Sequence, residues 1–485
     1  MLTKSDYIRY LQCTKLAWLN KNRPDLISEE IKESLSDVME NGYKVEQYAY
    51  ELFPDGVVAE SPAKTQKLMK KGGAVFQPTI IAGELLCRAD IISYDKENES
   101  WDIYEVKSST QVKDVHEYDL SFQKTCFEKA GYKVGKLFLV HINNEYIKKG
   151  KINAKELFGI DDITQVVDEL AQETKDGIME LSQILKRGEE TKVRPLKQCN
   201  RPYPCVFKDY CLQGLPNKSI YSIIGKLSEK TMNKLLDDGI VDIENIPTEL
   251  ISPSFMNHFN AIKNNEVYIE KEGIKNELEK IEYPIYFLDY ETYGSAIPAL
   301  DGYRPYQNIV FQYSLHIQRT ADSKLEQFAF LADKLADPSR EMAESLKKQI
   351  GETGTIIAWN MGFEQECNSG MAERETEFKE FFEDINNRMY DLMTVFKKGY
   401  YIHKEFYGSA SLKKVLPVLV PSLSYGELNI HEGMTASNSW YEMFDSKTDG
   451  KRKQAIYDDL LKYCELDTLA MVKILEELRK ITRIN

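Results

Sequence analysis

Two carboxylates and a lysine form a compact set between residues 90 and 107. Asp90 lies near the end of one predicted strand, and Glu105 and Lys107 lie two positions apart on the next, across a predicted turn. Alternate residues of a strand point to the same face, so Glu105 and Lys107 share a side that Asp90 can reach. Two carboxylates can hold a divalent metal that activates water, and a lysine can position that water. Ordinary alternation of charges on a surface hairpin is the alternative.

A second group of acids is spread over the C-terminal half. Asp289 and Glu291 lie in the apolar predicted strand 285–292, and their spacing places both side chains on one face. Tyr463 and Asp467 are four positions apart in the predicted last helix, which stacks them on one side. Carboxylates in an apolar strand are costly unless a cation pairs with them. We therefore expect a metal site here, with the Tyr463 hydroxyl orienting the attacking water.

Four of the eight cysteines have a distribution that indicates a shared site. Cys199, Cys205 and Cys211 lie in one loop rich in proline and aromatic residues, and Cys13 lies far upstream. Four thiolates suit an iron–sulfur cluster or a closed zinc site, and a set without metal is the third possibility. The spacing lacks paired Cys-x-x-Cys motifs, which favours the cluster. The remaining cysteines sit singly in apolar or helical settings, as buried free thiols often do: Cys87, Cys126, Cys367 and Cys464.

The pattern of the elements predicts an α/β multidomain chain. We expect a first domain at 1–215, a helical connector at 216–280 and a second domain at 281–485. The predicted elements of the first domain are strands between 74 and 106, a helix at 115–131, a strand at 136–142 and a helix at 162–187. Those of the second domain are strands at 285–292, 310–318, 327–331 and 355–359, and helices at 339–350 and 454–481. Three strands, a helix and a strand are the opening order of an RNase H-like fold.

The first acid set resembles the PD-(D/E)XK nucleases, with Ala89 at the position of the proline in the family's name. The segment 42–46 is similar to the Gly-x-x-x-His box of the RecB-like branch, with Glu46 replacing the histidine. The resemblance implies a restriction-endonuclease-like core that binds Mg²⁺ or Mn²⁺ through Glu46, Asp90 and Glu105. It also implies that Asp90, Glu105 and Lys107 are catalytic.

Two further segments extend this resemblance. The run from Asp119 to Gln123 resembles the approach to the later Gln-x-x-x-Tyr box, with Phe127 in place of the tyrosine, and it implies that Gln123 is catalytic. One N-terminal cysteine with three after the nuclease domain resembles the iron–sulfur staple of certain RecB-like nucleases. The implied cofactor is a structural [4Fe–4S] cluster, with zinc as the alternative, held by Cys13, Cys199, Cys205 and Cys211.

The second acid set resembles the DEDD exonucleases, and the tyrosine marks their DEDDy branch. The matching segments are Asp-x-Glu at 289–291, Asn-x-x-Phe-Glu at 360–364 and Tyr-x-x-x-Asp at 463–467, with Glu364 where an aspartate is usual. The resemblance implies an RNase H-like (DnaQ-type) domain with 3′→5′ exonuclease activity. Catalysis would involve Asp289, Glu291 and Tyr463, and Mg²⁺ or Mn²⁺ would be bound by Asp289, Glu291, Glu364 and Asp467.

Charge and composition narrow the expected function. A net charge of −14 argues against a protein that coats polyanions generally, but metal ions can offset acids within a nuclease site. The N-terminus lacks the apolar run of a signal peptide and no segment reaches the length of a membrane span, so we expect a cytoplasmic protein without a membrane partner. No Walker A motif is present, so a helicase or another repair or defence partner would open duplex DNA. DNA is the preferred substrate; RNA, or a nucleic-acid-binding scaffold with one inactive site, remains open.

Overall fold

The computed structural model describes residues 1–426, 428–430 and 432–483, except the side chains of Glu33 and Asp37. The chain divides into two compact units. Unit 1 comprises Met1–Leu215 and Ala296–Tyr306, and unit 2 comprises Pro216–Ser295 and Gln307–Asn485. Residues 216–280, which were expected as a separate connector, are part of unit 2. None of the described helices is both long and apolar enough to cross a membrane.

Unit 1 contains nine strands and nine α-helices among its described residues. The strands are β1 (Leu2–Thr3), β2 (Val57–Val58), β3 (Ala74–Phe76), β4 (Thr79–Ala82), β5 (Leu85–Arg88), β6 (Ile91–Asp95), β7 (Ser100–Val106), β8 (Val134–Ile142) and β9 (Phe158–Asp162). The helices are α1 (Lys4–Gln12), α2 (Thr14–Asn22), α3 (Glu29–Ala49), α4 (Pro62–Met69), α5 (Asp114–Lys129), α6 (Ala154–Leu157), α7 (Thr164–Glu169), α8 (Ala171–Lys186) and α9 (Lys208–Cys211).

Two mixed sheets organise unit 1. The larger has the order β2-β3-β6-β7-β8-β9, and the smaller has the order β1-β5-β4. Strand β7 runs antiparallel to β6 and parallel to β8, with Val106 opposite Val140. Helix α5 packs its fully buried Leu120 and Phe122 into the main core of this unit. Because β7 is a central strand covered by this helix, charged side chains at its end become buried.

Unit 2 contains seven strands and ten α-helices among its described residues. The strands are β10 (Val267–Ile269), β11 (Ile285–Tyr293), β12 (Ile309–Gln318), β13 (Glu326–Leu331), β14 (Thr355–Ala358), β15 (Met389–Asp391) and β16 (Tyr401–His403). The helices are α10 (Glu229–Asp237), α11 (Met256–Asn264), α12 (Lys271–Leu278), α13 (Ser339–Gln349), α14 (Gly362–Arg374), α15 (Lys379–Asn387), α16 (Thr394–Lys397), α17 (Leu412–Leu419), α18 (Gly433–Glu442) and α19 (Gly450–Thr482).

The main sheet of unit 2 has the order β13-β12-β11-β14-β15. Strand β11 is antiparallel to β12 and parallel to β14, and β14 is parallel to β15. Nine of the ten residues of β12 are buried, including the polar residues Gln312, Ser314 and His316. Helix α19 packs against β11 and β12, and its buried side includes Leu460, Met471 and Leu475. The sheet is therefore covered where β11 carries its acids.

The expected α/β multidomain class is confirmed at this coarse level, and several predicted elements lie close to the observed ones. The main difference in unit 1 is the helix predicted at 162–187, which is interrupted at Leu170 and begins only after β9. In unit 2, the helical connector predicted at 216–280 also contains strand β10, which pairs with β16 more than a hundred residues later. The local periodicity of a sequence carries no information about such a long-range pairing.

Candidate active sites and the cysteine cluster

The first carboxylate cluster of unit 1 forms around the end of β7. Asp90 lies between β5 and β6, and its Oδ2 accepts a hydrogen bond from the Val106 backbone N–H at 2.8 Å. Lys107 follows β7 directly, and its own backbone N–H donates to the Val140 carbonyl at 2.8 Å. Its ammonium lies 2.5 Å from Oε1 of Glu105. The structure thus brings together the three residues that the spacing predicted.

Helix α5 adds two polar side chains to this cluster. Asp119 Oδ2 lies 2.8 Å from Lys107 Nζ, and Gln123 Nε2 donates to Glu105 Oε2 at 2.6 Å and to Asp119 Oδ1 at 3.0 Å. Oε1 of Gln123 is buried without a hydrogen-bond partner in the described part of the chain. Gln123 therefore joins the cluster as expected. Asp119 was missed as a site residue, although its position four residues before Gln123 places it on the same helix face.

Lys4 is the second missed member of the first carboxylate cluster. Its Nζ lies 2.7 Å from Glu105 Oε1, 3.7 Å from Asp119 Oδ1 and 3.9 Å from Asp90 Oδ1. The lysine reaches this position because β1 pairs with β5, with Leu2 opposite Leu85. No local pattern could have indicated a contact across 101 residues.

Glu46 lies beside this cluster, near the end of α3. Its Oε1 accepts a hydrogen bond from the Tyr50 hydroxyl at 2.5 Å and another from Gln77 Nε2. Burial raises the pKa of Glu46, and the charge of Glu105 raises it further, while Lys4 acts in the opposite direction. Glu46 is therefore close enough to Glu105 and Lys4 to feel their charges. The hydrogen bonds of Glu46, however, are to Tyr50 and Gln77.

Burial controls the protonation of the first carboxylate cluster. It raises the pKa of Glu105 to about 7, with further contributions from Asp119 and Asp90, and it also raises the pKa of Asp90. Burial alone would raise the pKa of Asp119 too, but the charges of Lys107 and Lys4 hold it well below its usual range. Glu105 and Asp90 are therefore acids that an added cation would help to ionise. Their donor set of carboxylate oxygens fits a hard divalent ion.

The second carboxylate cluster belongs to unit 2 and joins β11 to α19. Asp289 and Glu291 project from β11 as their spacing predicted, and α19 supplies the Cys464 thiol. One ligand atom from each of these three residues lies within 4.8 Å of the other two. Cys464 Sγ is 3.5 Å from Asp289 Oδ2, within reach of a weak S–H hydrogen bond. This arrangement could hold a metal ion, and the cysteine had been interpreted as an isolated thiol.

Glu364 and Asp467 complete the second carboxylate cluster through electrostatic proximity. The charges of Asp467, Glu291 and Glu364 all raise the pKa of Asp289, after burial itself. Oε2 of Glu364 is buried and lacks a hydrogen-bond partner among the described residues. The Tyr425 hydroxyl donates to Asp467 Oδ1. Sequence reasoning missed Tyr425, because no motif marks a tyrosine 42 positions before its partner.

Burial raises the pKa of each of the four acids of the second carboxylate cluster. Burial raises the pKa of Glu291 to about 8, with a further contribution from Asp467, and raises that of Glu364 to about 8. The pKa of Asp467 is raised to about 6, again mainly by burial. Burial and the nearby acids also raise the pKa of Tyr463, so its hydroxyl stays protonated. Four crowded oxygen ligands with one unpaired buried atom fit divalent cations.

The four cysteines predicted to share a site lie around one cavity of unit 1. Cys13 precedes α2, Cys199 lies in a short 3₁₀ turn, and Cys211 ends α9. The Cys205 backbone N–H donates to the Cys199 carbonyl at 2.9 Å. The packing around these thiols is apolar, with contributions from Leu16, Leu19 and Phe207.

The four cysteines of this cluster are free thiols. All four belong to the described residues, and no three of their sulfurs lie within 4.8 Å of one another. Burial raises the pKa of Cys199 to about 11, and the charges of Cys205, Cys13 and Cys211 add to the effect. The four side chains are therefore close enough to influence one another electrostatically.

Comparison with known proteins identifies a family similarity that lies mostly in unit 2. Residues 286–411 match the model of a domain of unknown function, DUF2779. This segment contains Asp289, Glu291 and Glu364, and it ends before Tyr463 and Asp467.

Curated relatives are about a quarter identical to the chain over the aligned residues. An uncharacterized protein, UU173, from Ureaplasma parvum is 25% identical over 290 residues, which are 54% of this chain and 42% of that protein. The uncharacterized protein MG366 of Mycoplasma genitalium is 25% identical over 228 residues, or 44% and 34% of the two chains. The similarity spans less than half the length of these relatives. A solved structure, the crystal structure of SSO0001, covers 44% of this chain and 87% of its own, with 15% identity and a TM-score of 0.24.

Proposed function

We propose that this chain is a metal-dependent nuclease with two separate sites that hydrolyse phosphodiester bonds, with end-accessible DNA as the preferred substrate. The observation that carries the proposal is the convergence of buried carboxylates in each unit on a residue suited to position water. In unit 1 that residue is Lys107, beside Glu105. In unit 2 it is Tyr463, whose pKa is raised by burial and by the charges of Asp467 and Glu291.

We also propose a specific fold for each unit. The order and directions of strands β6, β7 and β8, with acids at the ends of β5 and β7, support a PD-(D/E)XK core of the RecB-like kind in unit 1. The order β13-β12-β11-β14-β15, with β11 antiparallel to β12 and parallel to β14, supports an RNase H-like domain of the DEDDy branch in unit 2.

In the first carboxylate cluster, Asp90 and Glu105 would hold Mg²⁺ or Mn²⁺, with Glu46 beside them. A bound divalent ion supplies Lewis-acid polarisation of the phosphate and lowers the pKa of a water. The protein's own contribution is positional. Lys107, fixed between Glu105 and Asp119, orients the water and offsets charge that develops on the phosphate. Gln123 fixes the Glu105 carboxylate from the opposite side.

In the second carboxylate cluster, Asp289, Glu291, Glu364 and Asp467 would hold the cations. The neutral Tyr463 hydroxyl can orient the attacking water for release of nucleotides from a 3′ end. Tyr425 holds the Asp467 carboxylate through a hydrogen bond. The charge of Lys413 lowers the pKa of Glu291 and of Asp467, which favours their ionised, metal-binding forms.

The cysteine cluster would carry a structural [4Fe–4S] centre. Four thiolates around one cavity suit either a [4Fe–4S] cluster or a closed tetrahedral zinc site. The uneven spacing of the four cysteines along the chain, without paired Cys-x-x-Cys motifs, favours the cluster over zinc. Its role would be to tie Cys13, near the start of unit 1, to the loop after α8.

Cleavage of end-labelled oligonucleotides tests the proposal. Single-stranded DNA labelled at either end is incubated with Mg²⁺ or Mn²⁺ and with the wild type, Asp90→Asn, Asp289→Asn or the double variant. Each single substitution should remove a distinct set of products, and the double variant should release none. Asp176→Asn in unit 1 and Asp458→Asn in unit 2, which change exposed acids, should retain both sets.

The same assay separates the remaining alternatives. Cleavage by the double variant at the wild-type rate would refute the nuclease proposal. Loss of only one product set, with the other absent even in the wild type, would identify a protein with one active nuclease site. An RNA strand of matched sequence, cleaved in preference to DNA, would assign the substrate to RNA. Duplex ends compared with single strands would report whether a strand-opening partner is needed.

A further inference from the structure

Lys4 is held among the carboxylates of the first cluster by backbone structure on both sides. Strand β1 pairs with β5, and the Leu2 backbone N–H donates to the Glu84 carbonyl at 2.7 Å. Thr3 caps α1 in a reciprocal arrangement with Asp6. Lys4 is the first residue of that helix, so its Cα is fixed by a strand and a helix cap. Its ammonium reaches Glu105 from this rigid base.

Both lysines of the cluster contact the same carboxylate oxygen. Lys4 Nζ lies 2.7 Å from Glu105 Oε1, and Lys107 Nζ lies 2.5 Å from it. Lys4 also faces Asp119 at 3.7 Å and Asp90 at 3.9 Å. The Lys4 ammonium therefore lies between three acids, in a position where a cation can bridge Glu105 to its neighbours.

The formal charge of the cluster agrees with this geometry. Its carboxyl groups are those of Glu46, Asp90, Glu105 and Asp119, and its ammonium groups are those of Lys4 and Lys107. With all four carboxyl groups ionised, as a bound cation favours, the formal charge is −2, which one divalent ion neutralises. Excess charge in a buried site is costly, so a second divalent ion would be disfavoured while Lys4 is present.

We propose that Lys4 is a permanent cation of the first carboxylate cluster, where it takes the place of a second divalent ion and limits the site to one. This inference rests on the proposed function, because it assumes that the cluster binds metal. Lys4 is a positioning residue in this scheme. It holds Glu105 and Asp119 in place, while Lys107 remains the group next to the reacting phosphate.

Metal-binding stoichiometry tests the inference directly. The full chain carries Asp289→Asn and Asp467→Asn to silence the second cluster, is stripped with a chelator and is titrated with Mn²⁺ in a calorimeter. We expect one ion with Lys4, one with Lys4→Arg and two with Lys4→Met. Lys124→Met is the matched control, since Lys124 is a partly buried, ion-paired lysine on the surface of α5, and it should bind one ion.

A compensating variant covers the case in which Lys4→Met does not fold. Lys4→Met combined with Asp119→Asn restores the formal charge of −2 and should bind one Mn²⁺. A single ion in Lys4→Met, two ions in the combined variant or no bound ion in the Lys4 parent would each overturn the inference.

Nuclease assays on the same protein preparations distinguish failure of the inference about Lys4 from failure of the proposed nuclease function. One ion in the Lys4 parent and two in Lys4→Met, without cleavage of any strand by the wild type, would support the role of Lys4 and reject the nuclease. Cleavage that depends on Asp90, with an unchanged stoichiometry in Lys4→Met, would support the nuclease and reject the role of Lys4.

Discussion

Asp119 Oδ2 lies 2.8 Å from Nζ of Lys107, and this ion pair joins the central helix of unit 1 to the end of its central strand. The same aspartate accepts a hydrogen bond from Gln123 at 3.0 Å. The side chain of Asp119 is 8% exposed, so water screens the pair weakly. Lys107 thus contacts Asp119 as well as Glu105, and the two carboxylates together fix the position of its ammonium group.

Replacement of this aspartate should impair the first site without loosening substrate binding. We expect Asp119→Asn to lower kcat of the Asp90-dependent cleavage by about 10- to 100-fold, because a residue that orients a reactive group typically has an effect of this size. KM should change little, since the contacts of Asp119 are to residues of the cluster and we expect none to the substrate. Steady-state kinetics on labelled DNA check the split. Asp114→Asn, at the exposed start of the same helix, is the control, and a wild-type kcat in Asp119→Asn would contradict the role.

The raised acid pKa values predict how the metal-free protein responds to pH. Folding holds the pKa of Glu105 at about 7 and those of Glu291 and Glu364 at about 8, above the value of about 4.3 in an unfolded chain. The folded state therefore binds more protons between these limits, and its stability should fall as pH rises from about 4.3 to about 8.

Thermal unfolding at a series of pH values with a chelator measures this effect. Glu364→Gln should reduce the loss of stability of unit 2 with rising pH, since the amide cannot ionise. Mn²⁺ should raise the melting temperature most at the alkaline end, where ionised acids are available to bind it. A metal-free melting temperature that increases steadily from pH 5 to pH 8 would contradict the assigned environments.

The sequence predicted the neighbouring residues on each strand, but it did not predict every residue that joins the two carboxylate clusters. Strand alternation is a local property, so it correctly placed Glu105 beside Lys107 and Asp289 beside Glu291. Lys4 reaches its partners only through the pairing of β1 with β5, across 101 residues. Contacts of this kind depend on the complete fold, which periodicity in a short window does not encode.

The cysteine cluster makes a prediction about colour and stability. Anaerobically purified protein should be brown, with broad visible absorbance and about four iron atoms per chain. Cys13→Ser and Cys205→Ser should each lose iron and lower the melting temperature of unit 1. Cys367→Ser, a buried thiol of unit 2, should retain the iron. A colourless protein that contains one zinc ion would refute the iron–sulfur assignment.

Two tyrosines of the second carboxylate cluster should have separable effects. Tyr463→Phe removes the hydroxyl that would orient water, so kcat of the Asp289-dependent cleavage should fall at least 10-fold with unchanged Mn²⁺ affinity. Tyr425→Phe removes a hydrogen bond to Asp467, so Mn²⁺ affinity should fall as well. Calorimetry and kinetics on the two variants report these properties independently. Equal losses of affinity in both variants would contradict the division of roles.

A glycine far from the chemistry should be essential to the second cluster through the strand that carries it. Gly354 has φ +91°, and an added Cβ would lie 2.0 Å from the Pro284 carbonyl oxygen. The next residue, Thr355, pairs with Ile285 at the start of β11. Gly354→Ala should therefore destabilise unit 2 by about 2–4 kcal/mol and reduce the Asp289-dependent cleavage.

Scanning calorimetry with a matched glycine variant tests this expectation. Gly370 lies inside α14, where an added Cβ meets no atom within 4 Å, so Gly370→Ala should stabilise unit 2 by about 0.5–1 kcal/mol. The Asp90-dependent cleavage by unit 1 should persist in both variants, because neither substitution touches that unit. If Gly354→Ala unfolded at the same temperature as the wild type, this result would contradict the idea that the second cluster depends on close packing of β14 against the start of β11.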